Sequence, residues 1–213
     1  MERAIRNRSA DEILGILLDG GLRDIAGGHT GFRAVRHPLG FICLPLSRGE
    51  RAVGVCVHIW SAGDVATRAT SAVHCHSWDL LSFVLAGAVE NQTYQVADDA
   101  DGPLRVYEIR SVDGQDEIAA TERRVHVSPG PSGVHPGGEF YELPAGHFHA
   151  SRIRSSEAVT VVVGRLVDEA GDLSLGDPDV VPAARRRDRF DAETTVAIVG
   201  DLLARLSVGA LTP

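Results

Sequence analysis

Ser71 to Asn91 reads SAVHCHSWDLLSFVLAGAVEN, with His74 and His76 one residue apart and Gly87 eleven residues after the second. Alternate residues of an extended chain share a face, so the two imidazoles project to one side while Cys75 points to the other. Such a pair is half a metal site. A second stretch, Gly138 to Ser151 (GEFYELPAGHFHAS), turns at Pro144-Ala145-Gly146 and presents His147 and His149 at the start of another strand-like run. It can supply the missing ligand.

Around these stretches the chain has 213 residues, 44% hydrophobic and 23% charged, a balance that builds a core and argues against global disorder. A single domain over 1–213 is expected, with an N-terminal helical extension (1–38), a β-barrel (about 39–167) and a C-terminal helical extension (168–213). With 21 Lys+Arg against 29 Asp+Glu, the formal charge of -8 repels phosphate backbones and anionic lipid, which argues against nucleic acid. No run approaches the roughly 18 apolar residues of a membrane span, and MERAIRNRSADEILG lacks the apolar core of a signal peptide. No membrane partner and a cytoplasmic location are therefore expected. Cys43, Cys56 and Cys75 are an odd set without CxxC spacing, which suits buried thiols in a reducing compartment rather than a disulfide framework.

In chain order, Ser9 and Glu12 have capping-box spacing ahead of Ile13, Leu14, Ile16, Leu17 and Leu18, so a helix over about 10–18 is predicted. Leu22 and Ile25 add a turn before Gly27-Gly28. Phe41 to Leu46 and Arg51 to Ser61 read as strands joined by a hairpin turn at Ser47-Arg48-Gly49-Glu50. In the second, Cys56, His58 and Trp60 share a face; His58 reads as a histidine satisfied by backbone or carboxylate ahead of a pocket-lining one. Leu81 to Leu85 and Ala88 to Val96 flank a tight turn at Gly87, and Leu104 to Arg110 forms another strand.

Ser111 to Gly138 is rich in Gly, Pro, Ser and charge, which predicts an exposed excursion with one short strand near Arg123 to Val127. His126 and His135 fall there and are not expected to ligate. Strands resume at Phe140 to Leu143, His149 to Arg154 and Ala158 to Val167. Arg185-Arg186-Arg187 reads as a solvated approach to a final helix over Ala192 to Leu206, with Asp191 as its cap. Many short strands with helices only at the ends favour an all-β sandwich or jelly-roll barrel.

The two histidine stretches resemble the paired motifs of the cupin superfamily, G-x5-H-x-H-x(3,4)-E-x6-G and G-x5-P-x-G-x2-H-x3-N. Gly138, Pro144, Gly146 and His149 match the second, with Ile153 where the terminal Asn stands. His74, His76 and Gly87 match the first, but Leu80 occupies the glutamate position, Asp79 is one residue off, and Arg68 replaces the leading glycine. The resemblance implies a cupin-like double-stranded β-helix (jelly-roll barrel) with N- and C-terminal helices, and one divalent metal on His74, His76 and His149. Asp79 is then expected to orient the ligands or act as an occasional fourth ligand. Arg68 is an ordinary exposed arginine by default.

Three-histidine cupins include Fe(II) dioxygenases of the thiol-dioxygenase type, so Fe(II) with O2 chemistry on a small polar metabolite is the leading expectation. Zn, Mn or Ni in a Lewis-acid isomerase, lyase or decarboxylase is the alternative, and a non-catalytic small-molecule-binding cupin the second. Asn91 and Tyr141 are the expected pocket residues beside the metal. Exposed sheet edges and the family resemblance imply a homodimer.

Overall fold

The computed structural model describes residues 1–47, 54–63, 69–112, 114–167 and 171–207. Helices occupy only the ends: α1 (Glu2–Arg6), α2 (Ala10–Asp19) and α3 (Gly21–Ala26) at the start, α4 (Ala192–Ser207) at the finish. Ser9 caps α2 by accepting from the Glu12 amide, and Asp191 caps α4 by accepting from the Thr194 amide at 2.7 Å. The turn expected at residues 47–50 and the residue Arg68 lie largely or wholly outside the described residues.

The first sheet contains β1 (Val35–His37), β2 (Phe41–Ser47), β3 (Gly54–Ser61), β5 (Trp78–Ala86), β9 (Phe140–Leu143) and β11 (Glu157–Leu166), in the order β1-β2-β3-β11-β5-β9. Strand alternation splits its side chains. Leu44, Val57, Ile59, Leu81, Phe83, Val159 and Val161 pack with Ile5, Ile13, Leu17, Leu22, Val199 and Leu202 of the helices, so both chain ends cover one face. The opposite face carries Phe41, Trp60, Leu80, Val84, Tyr141, Ala158 and Val162, which meet Val89 and Ile153 of the second sheet.

That second sheet holds β4 (His74–Cys75), β6 (Ala88–Asp98), β7 (Leu104–Val112), β8 (Gln115–Pro136), β10 (His149–Ile153), β12 (Asp172–Gly176) and β13 (Ala183–Arg186), in the order β13-β8-β6-β10-β4-β12-β7. Because β8 pairs with β7 through its first half and with β6 through its second, the ring β8-β6-β10-β4-β12-β7 closes on itself. Cys75, Val106, Val125, Phe148 and Leu175 form a separate core there, on the side of these strands opposite His74. Two antiparallel sheets face to face, with terminal helices outside, make the chain an all-β jelly roll of the cupin type.

Gly87 is not a hairpin turn between paired strands. It is the corner at which the chain leaves the first sheet (β5) for the second (β6). Its φ of +70° lies in the left-handed region, and a Cβ there would sit 2.1 Å from the Glu157 carbonyl oxygen, so only glycine fits.

Further expectations are corrected. The Gly/Pro-rich segment is no loop: Gln115 to Pro136 is the longest strand, and its turn-type residues are absorbed where β6 shifts register between Gln92 and Tyr94. Pairing with β6 along this half of the strand outweighs local turn preference. Strands also continue beyond residue 167: β12 and β13 lie in the segment read as a helical extension. Arg185 and Arg186 therefore belong to an edge strand, and Arg187 pairs with Asp116 at 2.8 Å rather than leading solvated into a helix.

Candidate metal centre

The register of β4 against β10 brings His74 and His149 together, and His76 lies just past the end of β4. His149 is the direct cross-strand partner of His74, and His76 follows two residues later on the same side. Ring centroids of His74 lie 4.8 Å from His76 and 4.4 Å from His149, and one ligating atom of each residue falls within 4.8 Å of the others.

Orientation comes from the layer behind. His74 Nδ1 is 2.9 Å from the Ala72 carbonyl oxygen, His149 Nδ1 is 2.9 Å from the His147 carbonyl oxygen, and His76 Nδ1 is 3.4 Å from Asp172 Oδ2. Carbonyl and carboxylate oxygens only accept, so each Nδ1 is placed to donate, which leaves the other ring nitrogen of each histidine free of that contact. Burial, then the neighbouring His76 and His149, hold the His74 imidazole well below its ordinary pKa. Burial and His76 lower His149 to about 4. Three clustered imidazoles, with His74 and His149 kept from protonating by burial and each Nδ1 set against an oxygen acceptor, fit a divalent cation.

Asp172 was not among the residues singled out from sequence. Burial pushes its carboxyl up, but the His76 ring and the Ser77 amide and hydroxyl, which donate to Oδ1 at 2.9 and 3.0 Å, outweigh that and hold it below the usual range. It is the carboxylate of this site, one layer behind the imidazoles. The alternation of Asp172, Leu173, Ser174 and Leu175 was the available signal, since it is the pattern of a half-buried strand.

Asp79 is elsewhere. Its Oδ1 accepts from the Ala145 amide at 3.0 Å and its Oδ2 pairs with Arg165 at 2.8 Å. The offset from Leu80 puts it on the opposite side of β5, as a one-residue slip does in any strand, and no bulge reverses it. What Asp79 holds is the Pro144–Gly146 turn that leads into β10. His147 is exposed and offers its carbonyl, not its ring, to His149. His126 pairs with Asp99 and His135 packs against Tyr141, and neither joins the cluster.

Asn91 and Tyr141 do reach the space between the sheets. Ser151, two residues beyond His149 on β10, donates to Asn91 Oδ1 at 2.6 Å. Burial pushes the Tyr141 phenol up to about 12, so it stays a protonated donor. Among the described residues, the Trp60 indole nitrogen, Ser82 and Thr160 hydroxyls and Asn91 Nδ2 are buried without a hydrogen-bond partner. By strand alternation all four lie on faces turned toward the inter-sheet space. Buried polar groups are normally satisfied, so such a group of orphans marks a place for a polar ligand. Trp78 stacks on His76 at 4.3 Å and closes one side.

Among the described residues, His58 has neither a backbone nor a carboxylate partner. Its Nε2 lies 3.3 Å from Cys56 Sγ, and its ring packs on Phe41.

No protein-family model matches the chain. No curated protein matches its sequence. Among solved structures it is similar to hydroquinone 1,2-dioxygenase PnpCD in complex with Cd2+ and 4-hydroxybenzonitrile, at 13% identity over 68% of this chain and 71% of that one, with a TM-score of 0.31. Hydroquinone 1,2-dioxygenase from Sphingomonas sp. TTNP3, with 4-hydroxybenzoate bound, gives 12% identity, 68% and 72% coverage and a TM-score of 0.32. A structural-genomics protein from Shewanella oneidensis gives 15%, 82% and 89%, and 0.32. At such identity and overlap these proteins say nothing of reaction or substrate. The sheet topology is that of a two-sheet jelly roll, and the three-histidine cluster fits a cupin-like metal site.

Proposed function

We propose that the chain is a metal-dependent cupin enzyme that binds one divalent ion, Fe(II) in preference to Zn, Mn or Ni, through His74, His76 and His149. The observation that supports this best is the common arrangement of the three rings, each Nδ1 set against an oxygen acceptor and one ligating atom of each residue within 4.8 Å of the others. When bound, ferrous iron on three neutral ligands would leave coordination positions for a chelating substrate and dioxygen, which suits dioxygenase chemistry.

The chain's own residues prepare the substrate end. Tyr141 would donate from its un-ionised phenol to a substrate oxygen, and Asn91, fixed through Oδ1 by Ser151, would donate from Nδ2. Trp78, Trp60 and Phe41 exclude water and favour a small metabolite with a flat or apolar body and polar substituents. Asp172 holds the tautomer and direction of His76. Asp79, Asn91 and Tyr141 thus divide into one positioning residue and two substrate-side residues. A homodimer is the proposed assembly, and sedimentation showing only monomer at micromolar concentration counts against it.

The deciding experiment is anaerobic reconstitution with Fe(II), followed by an oxygen-consumption screen over thiols, diketones and hydroxylated aromatic acids. Oxygen uptake coupled to substrate loss is expected. Turnover that persists without oxygen, or is equal with Zn(II) and Fe(II), overturns the dioxygenase reading in favour of Lewis-acid isomerase, lyase or decarboxylase chemistry. No turnover with substrate-class ligands binding tightly indicates a recognition pocket.

A further inference from the structure

We propose that Cys43, Cys56 and His58 form a second metal site, selective for a thiophilic ion of the Zn(II) type, on the wall of the inter-sheet space formed by β2 and β3. It is independent of the histidine centre and of the reaction proposed there.

The geometry begins with register. Cys43 is the direct cross-strand partner of His58, while Cys56 lies two residues before His58 on the same strand and therefore on the same face. One ligating atom from each of the three residues falls within 4.8 Å of the others, and Cys56 Sγ is 3.3 Å from His58 Nε2. Tetrahedral zinc with bonds of about 2.0 to 2.3 Å separates its ligands by roughly 3.6 to 3.8 Å. The triad needs only small side-chain shifts to close on an ion.

Chemistry selects the ion. Two sulfurs and one imidazole disfavour Mg, Ca and Mn, which prefer oxygen, and favour Zn among divalent ions. Both cysteines are free thiols and both are partly accessible, whereas Cys75 is buried on the far side of β4. Among the described residues no fourth donor joins the three. A Cys2His set with its fourth position open is the pattern of a site that takes water or an exogenous ligand, rather than a closed structural site. The position is within the aromatic wall made by Phe41 and Trp60, whose rings lie 4.3 Å apart, with the His58 ring 4.4 Å from Phe41. A ligand entering between the sheets would meet this face opposite the histidines.

The test uses the full chain, reduced and freed of metal under anaerobic conditions, titrated with Co(II) as a spectroscopic stand-in for Zn(II). A thiolate-to-cobalt charge-transfer band in the near ultraviolet is expected, because the histidine centre has no sulfur and cannot produce one. The band should fall to baseline in Cys56→Ser and in Cys43→Ser, and survive in His74→Ala and His76→Ala. Circular dichroism checks that each variant folds. A second measurement needs no variant: Zn(II) should protect Cys43 and Cys56 from alkylation at least tenfold, read by peptide mass spectrometry, and leave Cys75 unchanged. Absence of the charge-transfer band, a band that survives both serine variants, or alkylation of Cys43 and Cys56 that ignores Zn(II) would each overturn the site and leave a thiol–imidazole hydrogen bond in its place.

Discussion

Two walls of one inter-sheet space carry triads laid out by the same rule: two side chains two residues apart on one strand segment, and a third directly across. On β4 and β10 these are His74, His76 and His149; on β3 and β2 they are Cys56, His58 and Cys43. What separates them is the layer behind. Each histidine of the first triad is aimed by an oxygen acceptor on its Nδ1, whereas His58 is held through Nε2 to a thiol and by packing on Phe41. The first triad is pre-aimed for a cation, and the second must trade a sulfur contact for one. Spacing nominates a ligand set, and the layer behind decides how rigidly it is presented.

The largest expected effect follows from removing a member of the aimed triad. His74→Ala, His76→Ala and His149→Ala should each abolish tight binding of the metal equivalent at this centre, together with turnover, measured by metal analysis and oxygen uptake. If any of the three variants keeps full stoichiometry there while folded, the equivalence of the three rings fails.

Next in size is the layer behind. Asp172→Asn keeps the shape but weakens the acceptor for His76, and metal affinity should fall by about tenfold to a hundredfold. Asp79→Ala, by contrast, touches the metal only through the Pro144–Gly146 turn. It frees the Ala145 amide and should cost about 1 kcal/mol of stability with less than a tenfold change in metal affinity. Competitive chelator titration ranks the two. Equal losses in both variants would mean that the turn, not the His76 acceptor, controls the site.

That reversal of Asp79 and Asp172 shows where sequence reading stops. Local signals named what depends on neighbours in the chain: the Ser9 and Asp191 caps, the His-x-His pair and the Pro144 turn leading to His149. Signals failed where a distant partner outweighs them. Gln115 to Pro136 reads as loop because Gly130, Pro129 and Pro131 prefer turns, yet β6 and β7 pair with that strand at either end. Close approach even requires one of those turn residues, since a Cβ on Gly130 would sit 2.8 Å from Thr93 Oγ1. Asp172 lies 96 positions from His76, and no periodicity links them. The Cys43, Cys56 and His58 grouping depends on the β2–β3 register, which residue spacing around a turn does not determine.

The smallest expected effect concerns the support of the two walls in acid. Glu90, on β6 and facing away from Asn91, pairs with Arg152 and Arg154 of β10's end and accepts from Ser132 of β8 at 2.8 Å. The side-chain bonds from Arg152, Arg154 and Ser132 lower its pKa from 4.5 to about 2. A carboxyl depressed on folding stabilises fully above its unfolded pKa, and the contribution drains as pH falls from about 4.5 to about 2. Glu90→Gln should therefore melt below the wild type at neutral pH, with the gap narrowing below pH 4.5 and closing near 2. Because Glu90 ties together β6, β8 and β10, the variant should speed amide exchange on the histidine wall and leave β2 and β3 unchanged. A gap that widened in acid would reverse the sign of the linkage, and exchange that rose equally on both walls would mean that the sheets loosen as one unit.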